Sequence, residues 1–400
     1  MSREHDWLTL RNCSIASEGK LTPSCQVVID VTGGSIADVR VVKQDDFDLT
    51  IHRARDVDCR GHILTAGFMD LQLNGAWDFD FCTYSEDYKD KLEDVCRRLP
   101  AHGVTAFCPT LITSTAEIYK QVVPLLAPRQ VAKGAQILGA HLEGPYLSPE
   151  KHGIHNPDWM KQASTSMEET YGKDYSSSTA IVTIAPEMDG LLDIVSKLVS
   201  QDIVVSLGHS AAPIAIAQQA LDRGATMLTH LYNAMPSLHH RKPSLIDLLG
   251  QRTAPFFGLI ADNIHVSPFA AALAYKANPE GCCLITDANS PLGMADGTYT
   301  GPHGMQLTKK GEAATISNGD IGGGASSLDT CFRNLLNASQ AKIEAVVQTV
   351  NENPARVLGL KDQGQVRKGY MADLVLMTAE GDILKTFIRG QEVYSATQNW

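Results

Sequence analysis

Acidic and imidazole side chains stand directly after several short apolar runs in the middle of the sequence. Glu143 ends one such run, His209 follows a second and His230 follows a third. Two imidazoles and one carboxylate can hold a catalytic zinc ion at about 2.0–2.2 Å and leave a fourth position open for water. We therefore predict that these residues bind one divalent metal ion per subunit. Zn is the first expectation, although Fe, Co and Mn accept the same ligands.

Asp287 follows a later apolar run and is predicted to act as general base and acid. A carboxylate beside an activated water can accept the proton of that water and later pass it to a leaving nitrogen. Because bound zinc lowers the pKa of water to about 7, a carboxylate is basic enough for this step. The alternative role for Asp287 is a structural one, in which its carboxylate orients His230.

Eight apolar runs, separated by helix-like segments, must position these residues. Most of the runs are continuously apolar, which is typical of parallel strands buried on both faces. Eight strands alternating with helices over about 290 residues predict an α/β fold, the (β/α)8 TIM barrel, with its active site at the carboxyl ends of the strands. A doubly wound sheet is the rival, but the first run lacks the GxGxxG fingerprint of that fold. The runs are Ile63–Leu73, Val104–Thr110, Gln136–Leu142, Ala180–Ala185, Ile203–Leu207, Thr226–Leu231, Phe256–Ala261 and Cys282–Thr286.

The segments between the runs predict most of the helices. Asn156–Ser178 is polar and poorly periodic, so it is expected to be a long, partly helical loop after the third strand. Such loops at the active face of a barrel often carry function. Helices are predicted at Tyr88–His102, Thr115–Ala132, Gly190–Gln201, Pro213–Arg223 and Pro268–Ala277.

The two ends of the chain have short β-like runs instead, with a hairpin turn expected at Gly33-Gly34. Neither end is large enough to bury a core alone, so strands from both ends are expected to share one module. The predicted division is a small β-sandwich domain from residues 1–62 and 357–400, and a barrel domain from residues 63–356.

The composition excludes several classes of protein. The 400 residues are 44% hydrophobic and 20% charged, which is enough apolar material for a large core. The formal net charge of −11 argues against nucleic acid or an anionic membrane as the main partner. Nine cysteines without a CxxC pair, no secretory signal after Met1 and no membrane-length apolar run lead us to expect a cytoplasmic protein.

Five short strings carry a specific resemblance to the amidohydrolase superfamily and, within it, to the N-acetylglucosamine-6-phosphate deacetylases. They are Ala-Gly-Phe-Met-Asp at 66–70, HLEGP at 141–145, GHS at 208–210, THLYNAM at 229–235 and TDA at 286–288. The segment 364–375 resembles the closing strands of the same superfamily. The resemblance implies a metal-dependent barrel that deacetylates N-acetyl-D-glucosamine 6-phosphate to D-glucosamine 6-phosphate and acetate. It also implies that Glu143, His209 and His230 are the metal ligands and Asp287 the catalytic acid and base.

The resemblance further implies the substrate contacts. His155 matches a loop histidine that polarises the acetamide carbonyl, as an oxyanion donor would. Arg241 matches a phosphate-binding arginine, in a family that is usually dimeric, so it could act across a subunit interface. Asp262 is expected to contact substrate or only to orient its loop. The remaining predicted contacts are Ile154 (through its backbone), Asn233, Ala234, His265, Ile321, Gly322 and Gly323.

The chain departs from the wider superfamily on the first strand. Many members have His-x-His there, which helps to hold a second metal, whereas this chain has Gln72-Leu73-Asn74. Neutral amides bind zinc poorly compared with imidazole, so we predict one tight metal rather than two.

Three functions from different classes remain under consideration. The first is the deacetylase, with a phosphorylated amino sugar as its small-molecule partner and a homodimer as its expected assembly. The second is an amidohydrolase acting on a cyclic amide, a purine or a different N-acyl amino sugar, but run four lacks the lysine that two-metal cyclic amidases often carry. The third is a non-enzymatic relative, which would be expected to have lost a ligand or Asp287.

Overall fold

The apolar runs in the middle of the chain form eight parallel strands that close into a barrel. The computed structural model describes residues 6–42, 55–162, 166–317 and 319–396, so parts of the predicted terminal domain and of the loop 156–178 lie outside the described residues. Hydrogen bonds pair each strand with the next, and a parallel bridge between Leu73 and Ala288 joins the last to the first. The barrel strands are Phe68–Leu73, Val104–Ile112, Ala140–Glu143, Thr179–Ile184, Val204–Leu207, Met227–Leu228, Phe256–Ile260 and Cys282–Ile285. The predicted (β/α)8 barrel is therefore confirmed.

The strands are apolar on both faces because helices cover the outside and side chains fill the inside. All nine residues of Val104–Ile112 are buried, for example. A short strand, Gln136–Ile137, also pairs with Val104–Ile112. The α-helices are Tyr88–Arg98, Ala116–Val122, Met167–Tyr171, Tyr175–Ser178, Leu191–Val199, Ile214–Asp222, Pro268–Ala277, Leu328–Ser339, Ile343–Val346 and Glu352–Val357.

Most predicted helices are present but end earlier than their sequence patterns suggested. The helix at Tyr88 continues as a 3-10 turn, Leu99–His102, and stops at Gly103 in the left-handed region, as expected. The helix predicted from Thr115 stops at Val122, where a 3-10 turn, Val123–Leu126, with Pro124 in its first turn takes over. Proline cannot donate the backbone hydrogen bond that would continue an α-helix. Further 3-10 turns are Pro149–Lys151, Pro157–Trp159, Leu245–Gly250, Pro302–Gly304 and Val347–Val350.

Both ends of the chain contribute to a second, eight-stranded sheet with its own apolar cluster. The first run of the sequence analysis, Ile63–Leu73, divides at Gly67. Its first half, Ile63–Ala66, pairs with Trp7–Ser17 on one side and Leu374–Met377 on the other, so it belongs to this terminal sheet. A side chain at Gly67 would collide with Thr105, so only glycine lets the chain pass into the barrel here. The other strands of the terminal sheet are Lys20–Asp30, Ser35–Val41, Arg55–Asp58, Ile383–Ile388 and Gln391–Ser395.

A four-stranded antiparallel sheet follows the last barrel strand and lies over the carboxyl end of the barrel. Its strands are Gly297–Thr300, Gln306–Lys310, Ala313–Thr315 and Ile321–Gly324. A small hairpin, Gly75–Ala76 with Phe79–Asp80, follows the first barrel strand.

Two further features bear on the sequence analysis. All nine cysteines are buried, and none forms a disulfide. Of the helices within the described ranges, none combines the length and the apolar character that crossing a bilayer requires.

Candidate metal centre and active site

The three predicted metal ligands meet at the carboxyl end of the barrel. Glu143 is the last residue of the third strand, and His209 and His230 each come two residues after a strand ends. Oε1 of Glu143 lies 3.2 Å from Nε2 of His209 and 2.9 Å from Nε2 of His230. The two Nε2 atoms are 3.0 Å apart. Three atoms that each sit about 2.0–2.2 Å from one tetrahedral ion are separated by roughly 3–3.5 Å, so this spacing fits a shared cation.

The hydrogen bonds around His209 present the correct atom to a metal. Nδ1 of His209 lies 2.7 Å from the carbonyl oxygen of Lys151. A carbonyl can only accept, so Nδ1 donates and the neutral ring keeps its lone pair on Nε2, which faces Glu143. A metal-binding histidine needs this arrangement, in which the other ring nitrogen is held by an acceptor.

The charge at the centre also fits a cation. Burial opposes ionisation of Glu143, but the contacts of its carboxylate with the His209 and His230 rings outweigh it and hold the pKa of Glu143 well below its usual value. Burial likewise lowers the pKa of His230, yet the hydrogen bond and charge of Glu143 prevail and raise it to about 8. A buried carboxylate therefore contacts both rings, and His230 holds the compensating proton in the absence of a cation. A divalent ion would displace that proton and balance the carboxylate in its place.

His155 also lies close to this centre but presents the wrong atom for a metal. Glu143, His155 and His209 each offer an atom within 4.8 Å of the others. However, the backbone N–H of Thr113 donates to Nδ1 of His155 at 3.2 Å. Nδ1 therefore holds the lone pair, and Nε2 carries the proton of the neutral ring. Burial lowers the pKa of His155 well below its usual value, so the ring stays neutral and acts as a hydrogen-bond donor.

Asp287 is held beside the predicted metal ligands by two amides at the end of the first strand. Nε2 of Gln72 lies 3.0 Å from Oδ1 of Asp287 and 3.0 Å from Oε1 of Glu143. Nδ2 of Asn74 donates to the same Asp287 oxygen at 2.6 Å. Burial and then the nearby charge of Glu143 raise the pKa of Asp287, and the Asn74 amide works against that rise.

Three of these residues adopt a backbone conformation that is uncommon for side chains other than glycine. His209, His230 and Asp287 have φ values of 46°, 29° and 48°. Left-handed backbone at such positions costs of the order of 1–3 kcal/mol and is maintained only where the surrounding fold enforces it. The three residues with this backbone all line one cavity.

His141 supports the barrel interior below the site. It is fully buried, donates from Nδ1 to the carbonyl of Leu71 at 3.0 Å and accepts at Nε2 from Thr183 at 2.7 Å. Burial lowers its pKa to about 4, so it is a neutral packing residue.

A cavity of about 310 Å³ opens above the centre and collects most of the predicted substrate contacts. Gly322 alone among the predicted 321–323 contacts does not line it, because 321–324 is a strand and alternate residues face opposite ways. The predicted residues that do line it are Glu143, Ile154, His155, His209, His230, Asn233, Ala234, His265, Asp287, Ile321 and Gly323.

Asp262 lies behind the cavity wall and orients His265. Its Oδ2 is 2.6 Å from Nδ1 of His265, and its Oδ1 accepts the backbone N–H groups of Ile264 and His265. Of the two roles considered for Asp262, the hydrogen bonds fit the orienting one.

Arg241 is exposed and does not line the cavity of its own chain. Among the lining residues that the structure describes there is no lysine or arginine. A phosphate group in this cavity would therefore meet histidines but no permanent cation of the same subunit.

Sequence reasoning missed several residues of the site. Gln72 and Asn74 were noticed only as absent metal ligands, although their amides hold Asp287. No sequence signal indicated Ile316 and Asp320, which line the cavity from the four-stranded sheet that follows the last barrel strand. Asn289 was also missed; it lines the cavity and its amide donates to the carbonyl of Gly322.

The fold and the centre together are those of a hydrolase that activates water at a metal site on a barrel. Consistent with this, residues 63–393 match the amidohydrolase family.

The similar proteins narrow the family further. N-acetylglucosamine-6-phosphate deacetylase of Caenorhabditis elegans is 38% identical over 401 residues, covering 96% of this chain and 94% of that protein. A crystal structure of the Pasteurella multocida deacetylase of the same name has a TM-score of 0.86 and 28% identity, covering 98% and 100% of the chains. A mutant Mycobacterium smegmatis deacetylase in complex with N-acetyl-D-glucosamine-6-phosphate has a TM-score of 0.85 and 27% identity, with the same coverage. The chain belongs to the amidohydrolase family and, within it, to the N-acetylglucosamine-6-phosphate deacetylases.

Proposed function

We propose that this protein hydrolyses N-acetyl-D-glucosamine 6-phosphate to D-glucosamine 6-phosphate and acetate. The observation that carries the proposal is that one cavity unites the Glu143, His209 and His230 ligand set with Asp287 and with His155 as a donor. The names of the relatives support it, and a mutant of the Mycobacterium smegmatis protein has a structure in complex with this sugar phosphate.

The metal proposed for the Glu143, His209 and His230 site is one Zn ion per subunit, with Fe, Co or Mn as substitutes. When bound, the cation would polarise the acetamide carbonyl and lower the pKa of a water molecule. The side chains at the first strand support one ion rather than two, since the amides of Gln72 and Asn74 already donate to carboxylates.

Asp287 moves the protons in the proposed reaction. Both amides bind its Oδ1, so Oδ2 is the oxygen that would accept a proton from the attacking water. The water oxygen bonds to the acetamide carbon, and Asp287 then donates that proton to the nitrogen as the carbon–nitrogen bond breaks.

His155 stabilises the oxygen that becomes negative during this step. Its Nε2–H is a fixed donor. Because burial lowers the pKa of His155, the ring does not change its protonation state near neutral pH. A preorganised donor of this kind is typically worth about 10²–10³ in kcat.

The sugar would be held by the cavity wall. We propose contacts from Ile154 through its backbone, and from His265, which Asp262 orients. Gly322 supports the wall through its carbonyl, bound by Asn289, rather than by direct contact. The other proposed contacts are Asn233, Ala234, Ile321 and Gly323.

The phosphate group is proposed to bind Arg241 of a second copy of the chain in a homodimer. The described wall has no lysine or arginine, whereas a phosphate dianion calls for one. Several large apolar side chains are exposed. Leu238, three positions before Arg241, is 59% exposed, and Phe269 and Leu273 on the helix Pro268–Ala277 are 88% and 58% exposed. Exposed apolar side chains of this kind are typical of a subunit contact. The nine free thiols favour a cytoplasmic enzyme.

Release of primary amine from N-acetyl-D-glucosamine 6-phosphate by metal-loaded protein tests the function. Unphosphorylated N-acetylglucosamine and N-acetylgalactosamine 6-phosphate are the matched controls. Rapid release from the first sugar alone is expected. Faster release from the galactose epimer would support a different N-acyl amino sugar, and no release from any would favour another amide such as a cyclic one.

A further inference from the structure

We propose that Thr113 and His303 are positioning residues that fix the tautomer and direction of the His155 ring. The inference rests on the proposed function, because it concerns the donor that meets the acetamide oxygen. Neither residue lines the wall of the cavity above the metal centre.

Thr113 binds His155 with two groups. Its backbone N–H lies 3.2 Å from Nδ1 of His155, and its Oγ1 lies 2.8 Å from the same nitrogen. The backbone N–H can only donate, so Nδ1 is an acceptor and the hydroxyl must donate to it as well. A ring flip would lose both bonds. A proton on Nδ1 would lose the bond from the backbone N–H, which cannot accept, although Nδ1–H could still donate to the hydroxyl oxygen.

The hydroxyl of Thr113 is itself confined. A side chain at Gly144 would collide with Oγ1 of Thr113, so the glycine of the HLEGP string leaves room for this contact. Thr113 is completely buried, and only 2% of the surface of His155 is exposed. Water therefore cannot easily replace the hydroxyl.

His303 holds the peptide of Thr113 from the other side. Its Nε2 donates to the carbonyl of Thr113 at 3.0 Å and lies 3.2 Å from Oγ of Ser114. The His303 ring also meets Trp159 edge to face, with centroids 4.6 Å apart. Trp159 belongs to the loop that carries His155, so His303 ties that loop to the end of the second barrel strand.

His303 also has an uncommon backbone conformation, which the surrounding fold must maintain. It is not a glycine, yet its φ is 56°, in the left-handed region. It lies in the turn between the first two strands of the sheet that folds over the cavity. Hydrogen bonds thus run from His303 through Thr113 to His155 and connect that sheet to the proposed oxyanion donor.

Thr113→Val tests the proposal, because it removes the hydroxyl at nearly constant volume. We expect kcat to fall about 10- to 100-fold with KM changed less than about threefold, since misplacing a reacting group by 1 Å can cost about 10²-fold. Thr113→Ser should restore most of the rate. Thr105→Val is the matched control, since Thr105 is buried near the start of the strand that Thr113 directly follows. This control should leave kcat unchanged.

A double-mutant cycle separates positioning from general damage. In a His155→Ala background, Thr113→Val should have no further effect on kcat, because Thr113 acts only through His155. His303→Phe should follow the same pattern, and nitrogen NMR of His155 should show a mixture of tautomers in Thr113→Val.

The outcomes are distinguishable from failure of the function itself. If wild-type protein releases no amine from the sugar phosphate, the proposed function is wrong. If the wild type is active and Thr113→Val keeps its kcat, or loses it equally with and without His155, the positioning role is overturned.

Discussion

The amide of Gln72, on the first barrel strand, lies 3.0 Å from Oδ1 of Asp287, after the last barrel strand. The same nitrogen is 3.0 Å from Oε1 of Glu143. One amide therefore bridges Glu143, the proposed metal ligand, and Asp287, the proposed proton carrier. It lets two negative groups lie close together, as their separate roles require.

Asp287→Asn should lower kcat by about 10²–10⁴, the usual worth of general-base catalysis, while metal remains bound. The amide has nearly the same shape but cannot accept the proton of water. Amine release and metal content by mass spectrometry should be measured on the same sample. Normal turnover would remove Asp287 from the mechanism, and loss of metal would instead indicate a role in ligand orientation.

Gln72→Met should shift the acidic limb of the pH profile of kcat/KM to higher pH. Asp287 acts as a base only when ionised, and burial already raises its pKa. Removing an amide that stabilises the charged form raises that pKa further, so a higher pH is needed for the same activity. A limb that stays in place, or moves to lower pH, would contradict this reading of the Gln72 contact.

His209→Asn should abolish the increase in thermal stability that the wild type gains on adding Zn. A metal ion that binds only the folded state stabilises it by RT ln(1 + [L]/Kd), where [L] is the free metal concentration. Loss of one coordinating side chain weakens metal binding and therefore removes most of that gain. His141→Gln is the matched control: His141 is a buried histidine nearby but contacts Leu71 and Thr183 instead of the centre. The control should bind one metal per chain, as the wild type should.

Arg241→Ala should raise KM for the phosphorylated sugar with little change in kcat, since the phosphate is remote from the reacting amide. Mixing this variant with Asp287→Asn distinguishes the two placements of Arg241. If Arg241 acts across a dimer, each mixed dimer has one site with both residues intact, and low KM returns. If it acts within its own subunit, mixing restores nothing.

Asp80→Asn should become more stable than the wild type by a margin that increases as pH rises. Burial raises the pKa of Asp80 to about 7, against about 3.9 in an unfolded chain. The protonated form is favoured on folding, so its contribution to stability is complete below about pH 4 and is lost as pH rises through about 7. The difference in the free energy of unfolding between variant and wild type should grow from pH 5 to pH 8. Asp78→Asn, an exposed neighbour, should show no such trend.

The sequence by itself determined the barrel and the identity of the centre. Continuous apolar runs can only be buried on both faces, which requires parallel strands covered by helices, and His209, His230 and Glu143 stand at strand ends whatever the detail of packing. Asn233 and His265, which the family resemblance predicts to contact substrate, come soon after strand ends and line the same cavity.

The tertiary structure alone decided which atom each residue presents. The proton on His155 is fixed by Thr113, 42 positions away in the chain, and Asp287 is held by Gln72, 215 positions away. Ile321 and Gly323 face the cavity and Gly322 does not, because residues 321–324 form a strand. Periodicity reports which residues are buried, but hydrogen-bond partners between distant strands depend on how the barrel closes, and no local pattern encodes that closure.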